Sequence, residues 1–260
     1  MTFLEKILLE KHKEVSLLRK KFTISDLERQ KYFREETRSL SEYITKSGKS
    51  GIIAEFKRMS PSKGIINAEA DIAKVTTGYS DKGASGLSVL TDRVFFGGSC
   101  HDLTLTRELS NIPILRKDFI IDEFQVIESK AVGADAILLI AAALDNRKVS
   151  ELSALARSLK MEVLLEIHSA TELEAADAST DIVGVNNRDL KTFKVDINVS
   201  QDLIKRIPGH FIRISESGIS DPETVGQLRK EGFDGFLIGE RFMAELDPVS
   251  AFDRFVKQIP

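Results

Sequence analysis

The hydrophobic positions of this chain fall into two regimes that change at Gly51. Before it, Leu4, Ile7, Leu8, Val15 and Leu18 lie roughly on one stripe at helical spacing. The spacing predicts a first helix over the N-terminal stretch. A second helix is expected from Ser25, read as an N-cap before Asp26, to about Ile44. The segment Thr45-Lys46-Ser47-Gly48-Lys49-Ser50-Gly51 then breaks the pattern. It contains Gly48-Lys49-Ser50, the tail of a phosphate-binding P-loop. That motif also needs a glycine where Tyr43 stands and a strand before it, so the reading is rejected.

After Gly51, short apolar runs alternate with helix-length amphipathic stretches. Strands are expected at Ile52–Phe56, Gly86–Leu90, Ile112–Leu115, Ala136–Ile140, Glu162–Ile167, Ile182–Val185, Phe211–Ser215 and Gly235–Ile238. Runs such as Ala136-Ile137-Leu138-Leu139-Ile140 are continuous rather than alternating, as strands buried on both faces of a parallel sheet are. Eight such strand–helix units predict an α/β fold, a closed (β/α)₈ TIM barrel with an N-terminal helical extension. A doubly wound open sheet competes, but it usually has fewer strands, and no Gly-x-Gly-x-x-Gly follows the first one here. The expected organisation is one domain, with residues 1–48 as the extension and 49–260 as the barrel.

In such a barrel the chemistry sits where the strands end. Glu55 and Lys57 are two apart at the end of the first strand, so both project to the side of Ile53. The third strand runs into Lys117, the fifth into Glu166-Ile167-His168, the sixth into Asn186-Asn187-Arg188, and the seventh into Glu216-Ser217-Gly218. Taken singly, each is an ordinary surface residue. Barrel closure would bring them to one mouth, and lysines beside glutamates suit acid–base chemistry. Desolvation or a nearby cation would lower a lysine pKa there, whereas carboxylates would raise it. Gly218 and Gly239 lie in the last two loops, where these barrels often bind phosphate, and Ser60 in the first loop could add a hydroxyl. His168 is expected to serve a cap or loop rather than to act as a base.

Composition narrows the classes. Apolar residues make up 42% and charged residues 30%, as in a globular protein, and the net charge of −3 gives no reason to expect nucleic acid or an anionic membrane as partner. No apolar run approaches the roughly 20 residues of a membrane helix. Met1–Lys20 lacks the apolar core of a signal peptide, so a cytoplasmic chain is expected. Cys100 is the only cysteine, which leaves no internal disulfide and argues against a Cys-based metal site. No metal is implied, because hard-cation sites usually collect carboxylates without lysines among them.

Several blocks together carry a resemblance. They are Ile53-Ala54-Glu55-Phe56-Lys57-Arg58-Met59-Ser60-Pro61-Ser62, Leu87–Asp92 with Phe96-Gly97-Gly98-Ser99, Pro113–Ile120, Gly184-Val185-Asn186-Asn187-Arg188-Asp189-Leu190, and Ser215-Glu216-Ser217-Gly218-Ile219. Over nearly its whole length the chain resembles the indole-3-glycerol-phosphate synthases, barrel enzymes of tryptophan biosynthesis with a helical preface over the mouth. The resemblance implies a phosphorylated small-molecule substrate, 1-(2-carboxyphenylamino)-1-deoxyribulose 5-phosphate. It also implies ring closure with loss of carbon dioxide and water, and no cofactor. It makes Lys117 the general acid and Glu166 a catalytic carboxylate. Lys57 would hold the substrate carboxylate, and Glu55 would position Lys57. Asn186 and Glu216 would bind the sugar hydroxyls and anilino region, with Arg188 supporting the mouth. Phe96 and Phe119 would pack on the aromatic ring. Ser60, Ser217, Gly218 and Gly239 would take the phosphate. Many relatives have a serine where Glu240 stands; its N–H could still bind phosphate, but its carboxylate is expected to point away. A monomer is expected. Alternatives are another phosphate-binding barrel such as phosphoribosylanthranilate isomerase, or a barrel that binds a sugar phosphate without turnover.

Overall fold

The computed structural model describes residues 1–260. A closed barrel of parallel strands forms its centre. In chain order these are β1 (Ile52–Phe56), β2 (Gly86–Leu90), β3 (Ile114–Lys117), β4 (Ala136–Ile140), β5 (Glu162–Ile167), β6 (Ile182–Asn186), β7 (Ile212–Glu216) and β8 (Gly235–Ile238). Each pairs with its neighbour in sequence, and β8 closes on β1 with Ile53 opposite Leu237. A short antiparallel hairpin, Met59–Ser60 with Gly64–Ile65, sits in the loop after β1.

Strand pleating sorts the side chains. Outward positions such as Ile52, Ala54, Leu87, Leu139 and Val163 join the large core beneath the helices. Inward positions such as Ile53, Leu115, Leu138, Leu164, Ile214 and Leu237 form a separate cluster inside the barrel. Both faces are therefore buried, which is why the strands read as continuous apolar runs. No helix is long and apolar enough to cross a membrane.

Four expected elements shift: β6 runs one residue further, to Asn186, β7 moves by one to Ile212–Glu216, and two others change more. The third strand spans Ile114–Lys117 rather than Ile112–Leu115. Pro113 offers no N–H to the ladder, and its carbonyl accepts from Leu87 just before pairing begins. Arg116 stays in the strand because Thr91, Asp118, Glu128 and Ser129 satisfy its guanidinium. The expected Ser25–Ile44 helix is broken into α2 (Ile24–Glu28), a 3₁₀ turn at Lys31–Arg34, and α3 (Leu40–Thr45). Thr23, not Ser25, is the N-cap of α2, in a reciprocal pair with Asp26. Ser39 caps α3 afresh. The polar stretch Glu35–Ser39 between them contains no apolar residue to bury as a helix face.

The break sends the extension to both ends of the barrel. The long first helix α1 (Phe3–Lys21), capped by Thr2 and Glu5, lies at the end where strands finish. Helix α3 closes the other end. Leu40 is fully buried in the inner cluster with Ile44. A Cβ on Gly86 would lie 2.5 Å from Leu40, and one on Gly235 2.7 Å from Ile44, so glycine at those strand starts admits the plug. Ser39 and Ser41 anchor it by donating to the Glu162 carboxylate at the start of β5, at 2.6 and 2.9 Å. The extension expected over the mouth thus covers it with α1 only.

Candidate active site

The inward alternation that starts with Ile53, Leu115, Leu164 and Ile214 ends, two residues on, with Glu55, Lys117, Glu166 and Glu216. Lys117 Nζ donates to Glu166 Oε2 at 3.1 Å and to Glu216 Oε2 at 2.8 Å. Lys57, just past β1, donates to Glu55 Oε1 at 2.5 Å. The barrel therefore brings together groups up to 161 positions apart (55 to 216) without contribution from sequence proximity. Two glycines make room for the carboxylates. A Cβ on Gly184 would lie 2.2 Å from Glu216 Oε1, and one on Gly239 would lie 2.7 Å from the Glu55 side chain. Gly239, expected to serve phosphate, is thus also where glycine makes room for Glu55.

The charges settle in one pattern. Burial disfavours the Lys117 ammonium, but Glu216, Glu166 and Glu55 outweigh it and raise its pKa. Burial also pushes Glu166 up, but Lys117, His168 and Asn186 hold it below the usual carboxylate range. Glu216 goes the other way, to about 7, because burial and the Glu166 and Glu55 charges exceed the pull of Lys117. Its Oε1 has no hydrogen-bond partner. The mouth therefore holds a firm cation between one firm carboxylate and one that titrates near neutrality.

Every residue expected to serve catalysis, substrate or phosphate lines one cavity of about 720 Å³. On one side the Phe96 and Phe119 rings stand 6.1 Å apart at 37°. On another lie Ser217 and Gly218, both at positive φ (67° and 75°), a turn that exposes backbone to the cavity. Ser60 is buried at the first loop, its hydroxyl 3.4 Å from Ser62. The Asn186 side chain accepts from the Arg188 N–H at 2.9 Å. The Arg188 guanidinium reaches Glu240 Oε2 at 3.3 Å, and Lys63 lies 3.6 Å from the other oxygen. The Glu240 carboxylate therefore does not point away: it lines the rim and joins the loops after β1, β6 and β8. Helix α1 closes the mouth with Phe3, Leu4 and Ile7. Phe3 packs edge-on against Phe95 and Phe193 at 5.5 and 5.3 Å.

Two contributors, Gly184 and Asn187, and one contact of His168 escaped the sequence reading. Gly184 is one; its only signal is a glycine two before Asn186 on the inward face. Asn187 is another. Its side-chain N–H donates to Ser215 Oγ and to the Glu216 and Ser217 carbonyls, so it holds the end of β7 in place. His168 has the loop role expected of it and one contact more. Its backbone N–H and ring both meet Glu172, as a loop role requires, yet Nε2 also lies 3.7 Å from Glu166. It backs the carboxylate from outside the cavity lining.

The family model described as indole-3-glycerol phosphate synthase matches residues 4–255. The chain belongs to that family. The indole-3-glycerol phosphate synthase of Bacteroides thetaiotaomicron is 48% identical over 256 residues, covering 98% of each chain. That of Laribacter hongkongensis is 43% identical, covering 95% of this chain and 96% of the relative. Among solved structures, a thiamine phosphate pyrophosphorylase from Pyrococcus furiosus superposes at TM-score 0.61 with 13% identity, over 85% of this chain and 99% of that one. A mutant tryptophan synthase alpha-subunit from the same organism gives 0.60 with 15% identity, over 81% and 98%. These two likenesses speak for the barrel fold alone.

Proposed function

We propose that this mouth performs the synthase reaction on 1-(2-carboxyphenylamino)-1-deoxyribulose 5-phosphate, giving indole-3-glycerol phosphate with release of carbon dioxide and water. The observation that carries the reading is the Lys117 ammonium held between Glu166 and Glu216, with an aromatic wall on one side and the Ser217-Gly218 turn on another.

Ring closure forms a carbon–carbon bond between the carboxylate-bearing ring carbon and the sugar carbonyl carbon. The carbonyl oxygen gathers charge as the bond forms, and a preorganised donor there lowers the barrier. Lys117 enters as the protonated acid, since its surrounding carboxylates keep it charged. It gives its proton to the oxygen as that oxygen becomes strongly basic. Carbon dioxide then leaves with its carbon, and its bonding pair restores the aromatic ring. Dehydration needs an acid for the departing hydroxyl and a base for the proton lost from the new ring. Glu166, ionised and backed by His168, supplies the base and steadies positive charge on the anilino nitrogen. Lys57 holds the substrate carboxylate and serves as the later acid, positioned by Glu55.

Phe96 and Phe119 pack against the aromatic ring as one wall, and Asn186 and Glu216 take the sugar hydroxyls and the anilino N–H. The phosphate sits at Ser60, Ser217, Gly218, Gly239 and the Glu240 N–H, with Arg188 bracing the rim. The direct test supplies the carboxyphenylamino-deoxyribulose phosphate to purified protein and follows indole fluorescence. Well-folded protein that gives no signal would discard the reading.

A further inference from the structure

One charged residue of α1 faces inward. Lys11 is 1% exposed, with Nζ 2.7 Å from Glu14, 2.9 Å from Asp92 and 2.8 Å from Asp118. Two of these carboxylates belong to the mouth. Asp92 follows β2, and its Oδ1 accepts from the Phe95 and Phe96 N–H groups at 2.7 and 3.2 Å. Asp118 directly follows Lys117, and its Oδ1 accepts from the Phe119 N–H at 2.8 Å. Its Oδ2 receives the Thr91 hydroxyl and the Arg116 guanidinium. Both rings of the aromatic wall are therefore one hydrogen bond from a carboxylate that Lys11 grips.

Stability alone does not account for this cluster. Burying charges has a large desolvation cost, and replacing a buried ion cluster by apolar residues is often neutral or stabilising. Helix α1 already has apolar anchors: Ile7 is buried, and Val15 packs with Leu27, Phe124 and Ala131. What a lysine adds is direction, since three donors on one nitrogen fix three acceptors. Its charge is secure, because Asp118, Asp92 and Glu14 outweigh burial.

We propose that Lys11 is a positioning residue for the reaction: it sets the Phe96 and Phe119 rings, and the backbone beside Lys117, at their working separation. Helix α1 is then part of the active site rather than a cover over it. The inference rests on the functional reading above.

The test compares steady-state indole formation by native protein, Lys11→Arg, Lys11→Met and Asp92→Asn, with hydrogen exchange followed along α1. Because the wall grips the substrate ring, Lys11→Met is expected to lower kcat/KM at least tenfold, mainly through KM, while α1 stays protected by its apolar anchors. Lys11→Arg should recover most of the loss. In Asp92→Asn the amide oxygen still caps the Phe95–Phe96 turn, so a smaller KM rise in the same direction is expected, and this variant decides the matter if Lys11→Met does not fold. Native KM in the folded variants, or equal losses in Lys11→Arg and Lys11→Met, would overturn the role. Turnover by the native chain in the same assay tests the functional reading separately.

Discussion

Lys117 sits between two carboxylates of unequal proton affinity, and the inequality has measurable consequences. Glu216 titrates at about 7, so it gains its charge within the working range, whereas Glu166 is ionised throughout. The two interact, so the titration near neutrality belongs to the pair. In the proposed role of acceptor for sugar hydroxyls and the anilino N–H, Glu216 would serve better as a carboxylate. The kcat/KM profile should therefore rise with pH and bend near 7, and Glu216→Gln should remove that bend; a bend that survives would put it elsewhere. Stability runs the other way. The folded pKa of Glu216 is raised from 4.5, so its contribution is complete below 4.5 and is lost as pH rises through about 7. Thermal melts of native protein and Glu216→Gln should diverge over that interval. Lys117 itself offers the sharper test. Lys117→Ala should stay folded and lose about 10²–10⁴-fold in kcat, the usual yield of general acid catalysis. Its two carboxylates can take up protons once the cation is gone. Near-native turnover would remove Lys117 from its role.

At the scale of elements, the N-terminal extension does two unlike jobs. Helix α1 shapes the mouth, and α3 plugs the opposite end with Leu40 and Ile44. Leu40→Ala should therefore cost about 2–5 kcal/mol, as buried leucine truncations do, while kcat stays near native. Denaturant unfolding beside turnover would separate the two jobs, and a large fall in kcat would deny their independence. The same elements show what was legible in the sequence. The strands were, because burial on both faces leaves continuous apolar runs. The ring of charges was, because pleating carries Leu115 to Lys117 and Leu164 to Glu166 on one face. Helix breaks were missed, although Thr23 with Asp26 and Ser39 with Glu42 are capping pairs three residues apart; the apolar spacing across them masked the breaks. Gly184 was not legible, because its meaning depends on Glu216 across the barrel. Lys11 was not, because along a helix it reads as one more solvated charge.

Over the whole molecule, an anionic substrate meets a chain of net charge −3 whose mouth cations are already engaged. Lys57 is paired with Glu55, Lys117 with Glu166 and Glu216, and both Arg188 and Lys63 with Glu240. On the proposed function, long-range attraction would contribute little to capture, and binding would proceed by exchange of partners inside the mouth. Exchange is easiest at the rim, where the Lys63 side chain is 59% exposed and Glu240 36%. Exposed ion pairs of this kind contribute only about 0–1 kcal/mol each, so a phosphate can displace them cheaply. With the phosphate seated as proposed, Glu240 would compete with it for Arg188 and Lys63 and also repel it. Glu240→Gln should lower KM by up to about tenfold, the equivalent of roughly 1.4 kcal/mol. It should leave kcat unchanged, because the carboxylate pairs with Arg188 and Lys63 rather than with Lys117. The gain should shrink as salt rises, since exposed charges are screened over about 8–10 Å at ordinary ionic strength. Initial rates at low and high salt would read both effects. A raised KM in Glu240→Gln would mean that the carboxylate works for the phosphate, by holding Arg188 and Lys63 in place, rather than against it.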